Sequence, residues 1–170
     1  MQTSISRTQF LRGDLTGRSV PIRPPWALAE ELFVEKCTRC DKCREACIDG
    51  LIVNGQGGFP QMDFTRGGCD FCSDCVAVCE PEALYRPTKE AEPWSLGATI
   101  LKSCLSLNGV TCRSCGDVCD TRAITFSLQV GGRAKPVIDL VRCTGCGACL
   151  SVCPAKAVEI SNNSTREETA

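Results

Sequence analysis

The chain has 170 residues, of which 16 are Cys and none is His, and its formal net charge is −1. Because Cys makes up much of the 43% hydrophobic share, the ordinary apolar core is small and cross-links must supply part of the stability. The lack of His excludes Cys2His2 zinc sites, Rieske centres and a His general base, and no apolar run reaches the roughly 18 residues that a membrane span requires.

The first part of the chain, residues 1–36, is predicted to form a basic leader and an N-terminal helix. Residues 1–25 contain four Arg and one Asp, and Pro25 suits the first position of a helix. No hydrophobic signal region is recognised, so we expect a cytoplasmic protein with reduced thiols. Because this region contains no Cys and yet carries a net charge of +3, we also expect that deletion of residues 2–25 leaves a bound metal in place but weakens the capture of a partner protein.

The 16 cysteines form four groups of four. Groups one, two and four share the spacing CxxCxxCxxxC, whereas group three has seven residues between its first two cysteines. A shift of 32 residues maps group one onto group two, and a shift of 34 maps the last three cysteines of group three onto those of group four. This repeat within a repeat predicts two modules, each made of two similar halves. The groups are Cys37, Cys40, Cys43 and Cys47; Cys69, Cys72, Cys75 and Cys79; Cys104, Cys112, Cys115 and Cys119; and Cys143, Cys146, Cys149 and Cys153.

Short apolar segments between the paired groups predict a β-ribbon in each module. Residues 51–53 and 61–64 flank one Gly-rich turn, and residues 123–128 and 136–140 flank another. The apolar stretches that follow groups two and four are expected to pair with an outer strand. We further expect the fourth cysteine of each group to stand at the start of a short helical turn.

The cysteine spacing is typical of [4Fe-4S] clusters. A CxxCxxC loop supplies three ligands to one cluster, and in two-cluster ferredoxins of the bacterial type the fourth cysteine binds the neighbouring cluster. We therefore predict an α+β fold of two tandem bacterial-type 2[4Fe-4S] ferredoxin modules, with four [4Fe-4S] clusters as cofactors. The predicted ligand sets are Cys37, Cys40, Cys43 and Cys79 (set 1); Cys69, Cys72, Cys75 and Cys47 (set 2); Cys104, Cys112, Cys115 and Cys153 (set 3); and Cys143, Cys146, Cys149 and Cys119 (set 4).

Gly145 and Gly147, within the loop of group four, are expected to let backbone N–H groups approach the cluster sulfurs closely.

The positions of the cysteine groups also set the module boundaries. The predicted regions are residues 1–36 (leader and helix), 37–86 (module 1), 87–96 (polar linker), 97–160 (module 2) and 161–170 (tail).

Two alternatives stay open for the thiols. Structural zinc usually takes two CxxC knuckles separated by a longer span, so a zinc-stabilised interaction module is the remote alternative. Group three has further alternatives, which are zinc, a three-iron cluster or an empty site. The simpler interpretation is that the widened gap is a loop insertion and that Cys104 is still a ligand. The sequence contains no nucleophile with a His base, no phosphate-binding loop and no basic stripe, so we expect neither an enzyme nor a nucleic-acid-binding protein.

Four features occur together along the chain. They are Ile22-Arg23-Pro24-Pro25-Trp26, Cys37-Thr38-Arg39-Cys40-Asp41-Lys42-Cys43, Gly57-Gly58-Phe59-Pro60, and group three with its widened gap. In this combination the chain resembles the NapF family, the ferredoxin-type accessory proteins of periplasmic nitrate reductase. The resemblance implies a cytoplasmic [4Fe-4S] protein that contacts the catalytic subunit of that reductase before its export and helps its iron–sulfur cluster to be assembled or reduced. The alternative function is that of an electron-transfer subunit, a polyferredoxin that feeds a membrane or nitrate-reducing oxidoreductase.

Overall fold

The structure is a computed structural model that describes residues 21–130 and 133–162. Contacts between residues divide the chain into two compact units. Within the described residues, unit 1 comprises residues 21–63 and 71–94, and unit 2 comprises residues 64–70, 95–130 and 133–162. Among the described helices, none is long and apolar enough to cross a membrane.

Unit 1 combines short helices with an antiparallel ribbon. Its described elements are α1 (Glu30–Lys36), α2 (Lys42–Ala46), β1 (Ile52–Asn54), a 3₁₀ turn (Gln56–Gly58), β2 (Pro60–Met62) and α3 (Asp74–Ala77). In the ribbon, Ile52 lies opposite Met62, and both are buried. The first predicted ribbon is therefore confirmed: its first strand lies one residue later than predicted, and its second strand begins one residue earlier and ends two residues earlier. An isolated antiparallel bridge joins Ala27 to Leu84, so the stretch after group two pairs with the chain just before α1.

The N-terminal helix begins later than the sequence predicts. It starts at Glu30, whereas Trp26 has a φ of 57°, which is incompatible with a right-handed helix. The backbone N–H of Trp26 donates to the Pro93 carbonyl over 2.8 Å, and its indole Nε1 donates to the Ala91 carbonyl over 2.8 Å. The prediction of a helix from Pro25 was wrong because these distant contacts fix Trp26 as part of the core.

Residues 22–25 belong to the core of unit 1. The side chains of Pro24 and Pro25 are fully buried, and the Ile22 carbonyl accepts a hydrogen bond from the Met62 N–H over 2.7 Å. Arg23 is also buried. Deletion of residues 2–25 would therefore remove buried side chains of unit 1 as well as the leader, and the expectation that it leaves the bound metal in place stays a prediction.

Unit 2 contains two separate two-stranded antiparallel sheets in its described part. Its elements are β3 (Leu96–Ile100), α4 (Ser114–Asp117), β4 (Ile124–Leu128), β5 (Ala134–Ile138), α5 (Ala148–Ser151) and β6 (Val158–Asn162). The pairing of β4 with β5 confirms the second predicted ribbon, and β3 pairs with β6, so the stretch after group four has its outer strand. Its buried apolar residues include Phe64, Ala98, Ala123, Ile124, Ala157, Val158 and Ile160.

The short helices α2, α3, α4 and α5 occupy the same place in the four cysteine groups. Each contains the third cysteine of its group, and the fourth cysteine follows the helix end. The expectation that the fourth cysteine starts a helical turn was wrong. The CxxxC spacing spans one turn of helix, which separates the third and fourth cysteines along the axis.

Candidate iron–sulfur cluster sites

The loops of the three regular groups share an unusual backbone conformation. In each loop the residue directly before the second cysteine and the residue directly after it have left-handed φ values. The later of the two directly precedes the short helix. Left-handed residues next to helical ones form concavities lined by backbone N–H groups, which suit anionic groups such as iron–sulfur clusters. The residues and φ values are Arg39 (58°) and Asp41 (63°), Phe71 (61°) and Ser73 (73°), and Gly145 (67°) and Gly147 (86°).

Group three departs from this pattern. Arg113, which precedes α4, has a φ of −134° rather than a left-handed value. The widened gap is folded back on Cys104, whose carbonyl accepts hydrogen bonds from the backbone N–H of Asn108 over 3.1 Å and from its Nδ2 over 2.8 Å. Ser106 in the same gap is buried and donates to the Ala134 carbonyl. The insertion is therefore a closed turn packed against β5.

A second repeated feature follows the fourth cysteine of every group. The residue three positions later has a left-handed φ and donates its N–H to the carbonyl of that cysteine. The turn redirects the chain, and the next backbone N–H groups reach the thiol: Leu84 N–H lies 3.4 Å from Cys79 Sγ, and Ala157 N–H lies 3.2 Å from Cys153 Sγ. The turn residues and their distances to the carbonyl are Gly50 (3.0 Å), Glu82 (3.0 Å), Arg122 (2.8 Å) and Lys156 (3.1 Å).

The four cysteines of set 1 line one cavity in unit 1. Its empty volume is about 400 Å³, including the part that opens to solvent. The thiols are Cys37, Cys40, Cys43 and Cys79. The other lining residues are the apolar Phe33, Pro60, Val78, Pro81, Ala83 and Leu84 and the polar or charged Thr38, Arg39, Asp41 and Lys42. Cys40 is exposed, so the cavity is open on the side of this residue. A thiol-lined apolar cavity provides soft donors in a partly dry environment, as an iron–sulfur cluster requires.

The proximity of the set 1 thiols is also visible in their acidity. Burial, followed by the nearby charges of Cys37 and Cys79, raises the pKa of the Cys43 thiol to about 11. Burial likewise raises the pKa of Cys37, to which Cys79 adds, while the Arg39 backbone N–H and the Arg23 guanidinium oppose the rise. Cys79 is thus close to the first three cysteines of group one, although it belongs to group two.

An ion pair lies beside this cavity. Lys42 Nζ is 2.5 Å from Glu80 Oε1, and these residues adjoin Cys43 and Cys79 in the chain. The hydrogen bond and charge of Lys42 lower the pKa of Glu80, and Glu80 raises the pKa of Lys42 in return. Both side chains are solvent-exposed, so the contribution of the pair to stability is small.

Sets 3 and 4 are brought together within unit 2. Burial, followed by the charges of Cys104, Cys112 and Cys153, raises the pKa of Cys115 to about 11. Burial raises the pKa of Cys149 to about 12, and the contributing charges are, in decreasing order, those of Cys146, Cys143, Cys115 and Cys119. Cys153 of group four therefore lies near Cys115 of group three, and Cys119 of group three lies near Cys149 of group four. Cys115 and Cys149 are near enough to interact across the two sets.

For set 2, the structure describes the loop more than the ligand cage. Cys75 is buried in α3, while Cys47 directly follows α2. Cys69 lies in the segment grouped with unit 2, where its N–H donates to the Cys146 carbonyl over 2.8 Å. The other three cysteines of the set belong to unit 1.

The group two loop is anchored by side chains that the sequence did not single out. Phe71 packs edge-on against Trp26 and Trp94, with ring centroids 6.4 and 5.5 Å apart. Arg86 Nη1 donates to Ser73 Oγ over 2.8 Å, and its guanidinium lies 4.6 Å from the Trp26 ring centroid. Within the described residues, Arg86 Nε is the buried side-chain donor that lacks a hydrogen-bond partner. An unpaired donor beside this loop fits an acceptor that a bound cluster would supply.

Among the described residues, no three Cys, Asp or Glu side chains are close enough to hold a single metal ion. The thiols of sets 1, 3 and 4 are nevertheless close enough to affect one another's charge. These two observations are compatible, since the ligands of a cluster are separated by its own iron and sulfide atoms. Donor chemistry, the set 1 cavity and the backbone N–H groups thus fit [4Fe-4S] clusters.

Sequence reasoning also missed hydroxyl groups in unit 2. Thr121 Oγ1 lies 3.6 Å from Cys119 Sγ, and Ser114 Oγ lies 3.8 Å from Cys112 Sγ. Each hydroxyl belongs to the residue two positions after its cysteine. A Ser or Thr at that offset is the signal that would have revealed them, because the turn or helix start after the cysteine folds it back onto the sulfur.

Comparisons with known proteins agree with this chemistry. A family model described as a 4Fe-4S dicluster domain matches residues 110–157. The ferredoxin-type protein NapF of Escherichia coli (strain K12) is 41% identical over 151 residues, which cover 86% of this chain and 91% of that protein. The ferredoxin-type protein NapF of Haemophilus influenzae is 38% identical over 169 residues, covering 94% and 95% of the two chains. The methylamine utilization ferredoxin-type protein MauM of Methylorubrum extorquens is 32% identical over 165 residues, covering 88% and 75%. No solved structure matches the chain.

Proposed function

Because the chain belongs to the NapF family of ferredoxin-type proteins, we propose that it binds four [4Fe-4S] clusters and assists the maturation of the catalytic subunit of periplasmic nitrate reductase. It acts in the cytoplasm on the unexported subunit, as a carrier of clusters or electrons and not as an enzyme. The proposed ligands are the 16 cysteines in the four crossed sets.

The observation that carries the proposal is the set 1 cavity. Three thiols of one group and Cys79 of the next line the same space. This proximity is what crossed ligation requires, and the mutual electrostatic effects of sets 3 and 4 support the same assignment in unit 2. When bound, each cluster would supply one-electron redox chemistry, while the chain's thiolates and backbone N–H groups would fix its position and potential.

Metal analysis tests the cluster content. The chain purified without oxygen should contain four iron and four acid-labile sulfide atoms for each of four clusters, with broad visible absorbance that dithionite bleaches. Zinc in place of iron, in a colourless protein, would favour the zinc-stabilised interaction module and reject the proposal.

Capture of the partner tests the maturation role. The loaded chain should bind the precursor of the nitrate reductase catalytic subunit, and a strain that lacks the chain should export a catalytic subunit poor in iron. A matched variant without residues 2–20 spares Ile22, whose carbonyl accepts from Met62, and the buried residues 23–25. It should keep its iron, so weaker capture by this variant would assign docking to the basic leader.

One observation favours electron transfer as the second candidate function. Cys115 of set 3 and Cys149 of set 4 interact electrostatically, so clusters on these sets would lie near each other and could exchange electrons. In the deletion strain, a fully loaded catalytic subunit that merely lacks reducing equivalents would favour this function over maturation.

A further inference from the structure

The sulfur of Cys119 has a contact with a side-chain hydroxyl, whereas the contacts to the sulfurs of Cys79 and Cys153 come from backbone N–H groups. Thr121 Oγ1 lies 3.6 Å from Cys119 Sγ, within hydrogen-bonding distance for sulfur. In the free thiol either atom could be the donor. A cysteine bound to iron carries no proton, however, so in the loaded protein the Thr121 hydroxyl must be the donor.

This hydroxyl is specific to group three. The residue two positions after the fourth cysteine is Asp49 in group one, Pro81 in group two and Ala155 in group four. Proline and alanine side chains have no donor, and an ionised carboxylate only accepts hydrogen bonds. The turn that follows the fourth cysteine is common to all groups. Group three therefore differs from the others at this point of the turn in having a hydroxyl donor.

We infer that Thr121 is a positioning residue that raises the reduction potential of the cluster held by Cys119, through a hydrogen bond from its hydroxyl to the ligating sulfur. The inference rests on the proposed function, since it requires a cluster on set 4. Hydrogen bonds to the sulfurs stabilise the more negative, reduced state of an iron–sulfur cluster and thereby raise its potential. The electron added by a chemical reductant therefore enters this cluster more readily than it would without the hydroxyl.

The test is a potentiometric titration of the loaded full chain, with the reduced clusters followed by electron paramagnetic resonance. Thr121→Val removes the hydroxyl and keeps the branched shape. We expect one midpoint potential to fall by about 59 mV, which corresponds to an about tenfold change in the ratio of oxidised to reduced cluster for a one-electron couple. Thr121→Ser keeps the hydroxyl and should keep the midpoint close to that of the unmodified chain.

Thr125→Val provides a matched control, because Thr125 is an exposed threonine of β4 that undergoes the same chemical change. All four proteins should contain equal iron. If Thr121→Val loses a cluster, Thr121→Ala replaces it as the test variant. An unchanged set of midpoints in a hydroxyl-free variant with full iron content overturns the inference alone, whereas an unmodified chain without iron overturns the proposed function.

Discussion

Gly147 packs against the ring of Phe64 so closely that no side chain fits between them. A Cβ atom built on Gly147 would overlap the ring and reach 2.8 Å from Phe64 Cε1. Gly147 also has a φ of 86°, a conformation that L-amino acids with side chains rarely adopt. Glycine is therefore required for two independent reasons at this position, which lies in the loop between Cys146 and Cys149.

Gly147→Ala is expected to destabilise the loop of group four. The left-handed φ costs about 1–2 kcal/mol for a residue with a Cβ, and the overlap with Phe64 adds about 1–3 kcal/mol. The readout is the temperature at which the visible absorbance of the loaded chain bleaches, which should fall. Gly109→Ala is the matched control, since Gly109 has a φ of 83° but its nearest contact, Arg133 Cδ, would be 3.9 Å from the new Cβ. Equal shifts for the two variants would show that the Phe64 contact is unimportant.

The same glycines illustrate what the sequence could and could not predict. The positions of Gly145 and Gly147 in a cysteine loop indicated close backbone approach to sulfur, which followed from the motif alone. The structure adds a different constraint, because a Cβ on Gly145 would lie 2.7 Å from Leu96 Cβ and one on Gly147 would meet Phe64. Those partners come from distant parts of the sequence, so spacing within the motif contains no information about them.

The β-ribbons and the start of α1 show the same contrast between local and distant contacts. Short apolar segments on either side of a Gly-rich turn predicted both β-ribbons to within two residues, since strand pairing there is local. The start of α1 was missed because Trp26 is fixed by Pro93 and Ala91, far along the chain. Pro25 and Trp26 are residue types that occur both at helix starts and in cores. Only the contacts with distant residues decide which of the two they form here.

Crossed ligation can be tested by paired substitutions. In the crossed assignment Cys37 and Cys79 bind the same cluster. The double variant Cys37→Ser with Cys79→Ser should therefore lose the iron and sulfide of one cluster, which is the same loss as in either single variant. Cys37→Ser with Cys47→Ser should lose two clusters, because Cys47 serves the neighbouring cluster. The measurement is the iron and sulfide content of each anaerobically purified protein. The opposite ranking of the two double variants would assign each group of four to its own cluster.

Cys104 is expected to be a ligand in spite of the widened gap. Its charge contributes to the raised pKa of Cys115, and Asn108 folds the gap back onto its carbonyl. Cys104→Ser should therefore cost one cluster and leave the others in place, as measured by iron content and by the integrated resonance of the reduced protein. Ser103→Ala, a change at the exposed neighbouring residue, should retain all iron. Full iron in the Cys104→Ser protein would show that this thiol is not a ligand.

Cluster uptake by the metal-free chain is expected to accelerate as pH rises. The pKa values of Cys43 and Cys115 are about 11 and that of Cys149 is about 12, against an ordinary value of 9.0, so these thiols are protonated near neutrality. Each must lose a proton to bind iron. Because these pKa values lie above the ordinary value, the protonated thiols contribute stability to the metal-free fold below pH 9. That contribution is lost as the pH rises toward 11–12, so a higher pH weakens the metal-free fold while it favours iron binding. The rate of anaerobic reconstitution and the protons released per iron bound provide the measurement, and a rate that falls between about pH 7 and about pH 9 would contradict this mechanism.

Arg23 is expected to be a main stabilising residue of unit 1. Its guanidinium lies 2.6 Å from Glu30 Oε1, donates to the Pro60 carbonyl over 2.8 Å, and stands 4.9 Å from the Phe33 ring centroid. Its side chain is 7% exposed and that of Glu30 is 20% exposed, so Arg23→Met would remove the guanidinium that faces a largely buried carboxylate. We expect a loss of about 3 kcal/mol, near the lower end of the range for broken buried pairs because Glu30 keeps some contact with water.

The cause of that loss can be separated from the loss of packing. Arg23→Met together with Glu30→Leu removes both charges, and the double variant should be more stable than Arg23→Met alone, because no carboxylate is then left without its cation. Arg44→Met is the matched control: its ion pair with Asp41 is exposed, so its removal should change the bleaching temperature of the loaded chain very little. If the double variant is instead the less stable of the two, packing of the Arg23 side chain against Phe33 and Phe59, and not charge pairing, is what Arg23 contributes to unit 1.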